Sequence, residues 1–140
     1  MKKLNLIILA FILIVAAAAL FAACGDSDEN TLGSGGTSFT LEITGKDGES
    51  VTYTIKTDEK ILSDALMHKD VNIIPAGTLV NGFDTIKGVK ADFTADSAYW
   101  AFYENGDFAA DSAFNTEITA GAVYAFKYEV FEMGDWEDFE

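Results

Sequence analysis

The chain has 140 residues, with 23 acidic side chains against 9 basic ones, all lysine, and a net charge of −14. That balance argues against nucleic acid as a partner, because phosphates recruit a basic face; it also argues against capture of anionic lipid headgroups by the domain itself. A single cysteine excludes an internal disulfide framework, and an apolar content of 49% excludes a disordered chain.

The first element is a leader. Met1-Lys2-Lys3 precedes an apolar run from Leu4 to Ala23, interrupted only by Asn5. The run is long enough to span a bilayer as a helix. Lysines before it, an alanine-rich end and a polar chain after it have the form of a secretory signal. The run ends Leu20-Phe21-Ala22-Ala23-Cys24-Gly25. Small residues directly before a cysteine, with a bulky apolar residue three positions ahead, resemble the lipobox of bacterial lipoproteins; Phe21 stands where leucine is more usual. The resemblance implies cleavage after residue 23 and a diacylglycerol thioether on Cys24. Its two acyl chains suffice for stable anchoring. The expected location is therefore the extracytoplasmic face of the cell membrane, with the lipid as the membrane contact. The alternative is an uncleaved signal anchor in which Cys24 is an ordinary residue. Without residues 1–23 the chain carries 7 lysines against 23 acids, a balance of −16 that keeps an extracellular domain soluble.

Residues 24–38 read as a flexible Gly/Ser and acidic tether. Phe39 to Thr44 and Val51 to Lys56 both alternate apolar with polar, and Asp47-Gly48 supplies a turn between them, so a β-hairpin is expected. From Asp58 the period changes. Asp58 is a suitable helix cap, and Ile61, Leu62, Ala65 and Leu66 form a stripe at 3–4 spacing, which predicts a helix over about Glu59–Lys69. Asn72 to Pro75 reads as a short extended piece, with further strands at Leu79–Gly82 and Phe83–Ile86. Ala98 to Glu104 is almost continuously apolar and aromatic, which suits a central strand covered on both faces. A last strand places Tyr124, Phe126, Tyr128 and Val130 on one face, with Ala125, Lys127 and Glu129 on the other. Residues 133–140 form an acidic tail. The order of hairpin, helix and several strands predicts an α+β fold, a mixed sheet with a helix on one face. This is the element order of a β-grasp. One folded domain, residues 39–132, is expected.

Leu62-Ser63-Asp64-Ala65-Leu66, Thr85-Ile86-Lys87-Gly88-Val89 and Tyr99-Trp100-Ala101-Phe102-Tyr103-Glu104-Asn105-Gly106 resemble the transcobalamin-like C-terminal domain family. These small bacterial surface domains are similar to the cobalamin-facing β domain of transcobalamin and intrinsic factor. The resemblance covers about residues 39–132, and Trp100 to Gly106 is its most specific part. It implies capture of a small ligand such as a corrinoid. In the animal carriers a helical barrel holds the ligand's other side, and this chain has no such barrel.

Tyr99 and Tyr103 share one face of the aromatic strand and are the expected ligand contacts. Trp100 joins them as a stacking candidate, although core packing is the simpler role for Trp100 and Phe102. Asn105, a further candidate contact, sits in an Asn-Gly pair that most simply makes a turn. His68, the single histidine, is isolated among polar neighbours and is expected to be solvated, not a metal ligand. Asp26-x-Asp28-x-Asn30 opens like a calcium loop but has Thr31 where glycine is needed and Thr37 where glutamate belongs. No nucleophile-elbow or phosphate-cradling pattern appears. The expected protein is not an enzyme. It is a lipid-anchored extracytoplasmic binding domain or, alternatively, a surface interaction or adhesion module for a partner protein or glycan.

Overall fold

The computed structural model describes residues 30–76 and 84–132. The leader, Cys24, the first residues of the tether, the strand expected at Leu79–Gly82 and the acidic tail lie outside the described residues. Among the described residues no helix is long and apolar enough to cross a membrane.

The fold mixes helix with strand, is mostly strand, and is built on a curled mixed sheet. In chain order it comprises β1 (Thr31–Gly33), β2 (Thr37–Thr44), β3 (Ser50–Thr57), α1 (Leu62–Met67), β4 (Thr85–Ile86) and β5 (Val89–Lys90). These are followed by α2 (Phe93–Asp96), β6 (Ala98–Glu104), β7 (Asp107–Phe108) and β8 (Val123–Val130). Six strands form one sheet in the order β1-β3-β2-β8-β6-β7, and β4 with β5 makes a separate small pair. The β1–β3 and β2–β8 pairs are parallel; the rest are antiparallel.

The hairpin expected from alternation is β2–β3. Its register sets Phe39 opposite Ile55, Leu41 opposite Tyr53 and Ile43 opposite Val51, so one face of the pair is apolar throughout. Across β8, Leu41 faces Tyr124 and Ile43 faces Phe126; across β6, Phe126 faces Phe102 and Tyr128 faces Trp100. One inner face therefore runs over all four central strands. Leu62, Ala65 and Leu66 of α1, with Ile73 and Ile74, bury themselves in the same cluster as these inner residues. Phe39 meets Tyr124 edge-on, and Phe102 stacks on Phe126 at 5.0 Å between centroids.

Three expectations change. The helix is shorter than Glu59–Lys69, and Asp58 does not cap it. Asp58 instead accepts a hydrogen bond from the Gly36 N–H, while residues just before the helix are extended, with Ile61 bridging Glu117. The first helical N–H groups are satisfied by tertiary carbonyls: Leu62 donates to Thr116 and Ser63 to Ala113. A distant segment thus does the work of a cap. The sheet also begins earlier than Phe39. Residues 31–38, read as part of a tether, form β1 and open β2, because Leu32 packs against the core and Thr31 to Gly33 pair with Thr54 to Lys56. Finally, β6 is not central. It has β8 on one side and only the two-residue β7 on the other, and most of its side chains are half-buried.

Candidate functional site

The inner face of the sheet is covered by α1 and its flanking segments. The outer face presents Tyr99, Ala101 and Tyr103 from β6, Ala125, Lys127 and Glu129 from β8, and Glu42 from β2. Alternation alone assigns these positions, since β6 and β8 pair Tyr99 with Glu129, Ala101 with Lys127 and Tyr103 with Ala125. Ala101 and Ala125 are buried although they belong to this outer face, so the long side chains around them lie across a floor of methyl groups.

Glu129 organises the tyrosines. The Tyr99 hydroxyl donates to one carboxylate oxygen at 2.9 Å and the Tyr103 hydroxyl to the other at 2.7 Å. Donation to an anion favours the protonated phenol, and the hydrogen bond from Tyr103 to Glu129, aided by burial, pushes the Tyr103 pKa up to about 12. The Lys127 ammonium lies 4.6 Å from the Tyr103 ring centroid, a cation–π contact, and Phe108 meets the same ring edge-on at 5.5 Å. Tyr103 is therefore fixed by its hydroxyl, its face and its edge.

Beside it the sheet dips into a concavity of about 460 Å³ lined by Glu42, Tyr103, Asn105, Gly106, Val123, Ala125 and Lys127. A carboxylate and an ammonium stand on its rim with an aromatic wall between apolar floor residues. Such a surface offers hydrogen bonds of both senses and a place for a flat apolar group.

The four sequence candidates do not form one site. Tyr99 and Tyr103 share the outer face, as expected, and Asn105 lies at the end of the concavity. Asn105 and Gly106, with φ of 51° and 89°, make the two-residue turn from β6 to β7 that Asn-Gly pairs favour. The Asn105 side chain is also committed: its Oδ1 accepts from the Val123 N–H at 3.0 Å, while the Asn105 backbone N–H donates to the Val123 carbonyl at 2.7 Å. Trp100 points to the inner face, where it packs edge-on against Tyr128 and its indole N–H donates to the Val89 carbonyl at 3.3 Å. Trp100 is thus separated from the tyrosines by the sheet itself. Sequence reasoning missed Glu42, Lys127, Glu129 and Phe108. The i, i+2 spacing of Lys127 and Glu129 signals an outer face, but only the strand register shows which tyrosines they meet.

His68 sits at the end of α1, its Nδ1 accepting from the Asp70 N–H at 3.3 Å. Among the described residues no group of three or more His, Cys, Asp or Glu side chains is arranged to hold a metal ion.

No protein-family profile and no curated protein matches this sequence. Among solved structures the fold is similar to that of a candidate metal-binding protein from Ruminococcus gnavus ATCC 29149. The TM-score is 0.60 at 17% identity, over 69% of this chain and 100% of that one. At that identity the likeness speaks for the fold alone.

Proposed function

We propose that the protein is a non-catalytic, lipid-anchored binding domain of the transcobalamin-like kind, held outside the cytoplasmic membrane through Cys24. On this reading the outer face of the sheet captures a small ligand such as a corrinoid. The observation that carries it is the concavity beside Tyr103. Its volume of about 460 Å³ falls within the range of roughly 300–1,000 Å³ common to small-molecule sites. Its aromatic wall is held in advance by Glu129 and Lys127, so little rotamer freedom is lost on binding. One feature of the topology supports the family reading as well: β2 runs parallel to β8 at the centre of the sheet, and β3 and α1 follow β2 in sequence, the element order expected of a β-grasp.

Titration of the purified protein with cobalamin, followed by the corrin absorbance and by equilibrium dialysis, tests this proposal. Saturable binding is expected, weakened at least about tenfold, or about 1.4 kcal/mol, by Tyr103→Ala. Absence of saturable binding, or binding indifferent to Tyr103→Ala, would reject it. One observation favours a second reading. Phe108 is 66% exposed beside Tyr103, and an exposed aromatic next to an open face suits an interaction module for a protein or glycan. A protein that ignores corrinoids but binds polymeric glycan through Phe108 and Tyr103 would establish that alternative.

A further inference from the structure

On the inner side of β6, across the sheet from the concavity, a second cavity of about 180 Å³ opens between the strand and the segment that follows β7. Trp100, Phe102 and Phe126 contribute from the inner face of the sheet, Phe108 from the edge strand β7, and Asp111 and Phe114 from the segment. The volume is below the range of drug-sized sites and cannot admit a corrinoid, so this cavity is distinct from the binding face above in both place and capacity. Its wall is mostly aromatic, and the one charged group on it is a carboxylate.

Asp111 is held for this position. Its Oδ1 accepts from the Ser112 N–H at 2.7 Å and from the Asn115 side-chain amide at 3.0 Å. Those bonds, that of Asn115 foremost, hold its carboxyl below the usual carboxylate range, so it is ionised at neutral pH. Oδ2 has no partner among the described residues. No lysine lines the cavity, and the chain as a whole carries −14, so a positive charge arriving here meets no repulsion and a favourable field. Aromatic side chains with one carboxylate are the recognition chemistry of alkylated ammonium groups: ring quadrupoles attract a diffuse cation, tryptophan most strongly, and the methyl groups lose water to an apolar wall.

We infer that the cavity bounded by Trp100, Phe102, Phe114 and Asp111 binds a small organic cation with an alkylated ammonium head. The carboxylate supplies charge recognition, and the aromatic residues reject strongly hydrated metal ions and simple ammonium.

The test is a titration of the purified protein with choline chloride and, separately, with dimethylbutanol, the uncharged carbon isostere of choline. In a Trp136→Phe background Trp100 is the sole tryptophan reporter. Choline should change the Trp100 fluorescence saturably, while dimethylbutanol binds roughly three- to fivefold more weakly, the scale of a partly exposed cation–π contact. Asp111→Asn removes the charge but retains Oδ1 as an acceptor, so the segment keeps its hydrogen bonds. It should weaken choline several-fold and leave the isostere unaffected. Equal binding of choline and its isostere, no saturable effect of choline, or undiminished choline binding by Asp111→Asn would each overturn the inference.

Discussion

A single carboxylate sets the chemistry of the outer face. Because Glu129 accepts from both tyrosine hydroxyls, the folded pKa of Tyr103, about 12, lies above the ordinary value of 10.0. A raised folded pKa means that the associated stability is complete below pH 10 and is lost as the pH climbs through about 12. Ultraviolet titration should show one phenol ionising near that upper value, and Glu129→Gln should bring it back towards 10. Tyr124 serves the core. It is fully buried, its hydroxyl accepting from the Thr119 N–H at 3.0 Å and donating to the Glu117 carbonyl at 3.3 Å. Tyr124→Phe strands both partners but leaves the ring packed; denaturant melts should register a loss of about 1 kcal/mol, the lower end for unpaired groups that water can partly reach. Trp100 and Tyr103 also separate. Trp100→Ala should cost roughly 2 kcal/mol, less than the 3–5 of a fully buried aromatic because Trp100 is half-buried. Tyr103→Ala should act mainly on binding.

Among the elements, β1 is the one that sequence periodicity hides. Gly33 and Gly35 make Thr31–Gly36 look like linker, yet both glycines are required by close packing. A Cβ at Gly35, where φ is 152°, would lie 2.1 Å from the Thr57 carbonyl carbon, and one at Gly33 would lie 2.4 Å from the Lys56 oxygen. Gly35→Ala should therefore destabilise the domain by about 2–4 kcal/mol, combining backbone strain with overpacking. A chain beginning at Phe39 should likewise melt lower than one beginning at Asn30, since Leu32 and a strand pairing are lost with it; equal melting would mean that β1 contributes nothing. The hairpin β2–β3 and the last strand were legible because each has one polar and one apolar face, and period two is then visible. The aromatic strand was misleading for the opposite reason: tyrosines on its outer face and Trp100 and Phe102 on its inner face read as uninterrupted apolarity, which imitates a doubly covered strand. The true start of α1 was illegible because its first N–H groups are met by Thr116 and Ala113, some fifty residues away in sequence. The alternation did assign Tyr99 and Tyr103 to one face, but Glu129 and Lys127 joined the site only through register.

At the scale of the whole molecule, one covered face and one open face follow from a single main helix among the described residues. If Cys24 carries the lipid, Cys24→Ser should abolish fatty-acid labelling and leave the precursor uncleaved by the lipoprotein pathway, and normal labelling of that variant would reject the anchor. The central pairing of β2 with β8 reaches further. Thr40 lies against Val123 and Thr44 against Lys127, so the middle of the sheet is closed by residues from opposite ends of the domain. Contacts of such separation form late and slowly. A chain delivered N-terminus first, from a ribosome or through a narrow pore, cannot complete its core until β8 has emerged, and a chain ending before Val123 should show no cooperative melt. Until then the β2 edge of the β2–β3 hairpin stays open. The last of the described strands to emerge thus acts as a keystone, and the chain stays threadable until it arrives.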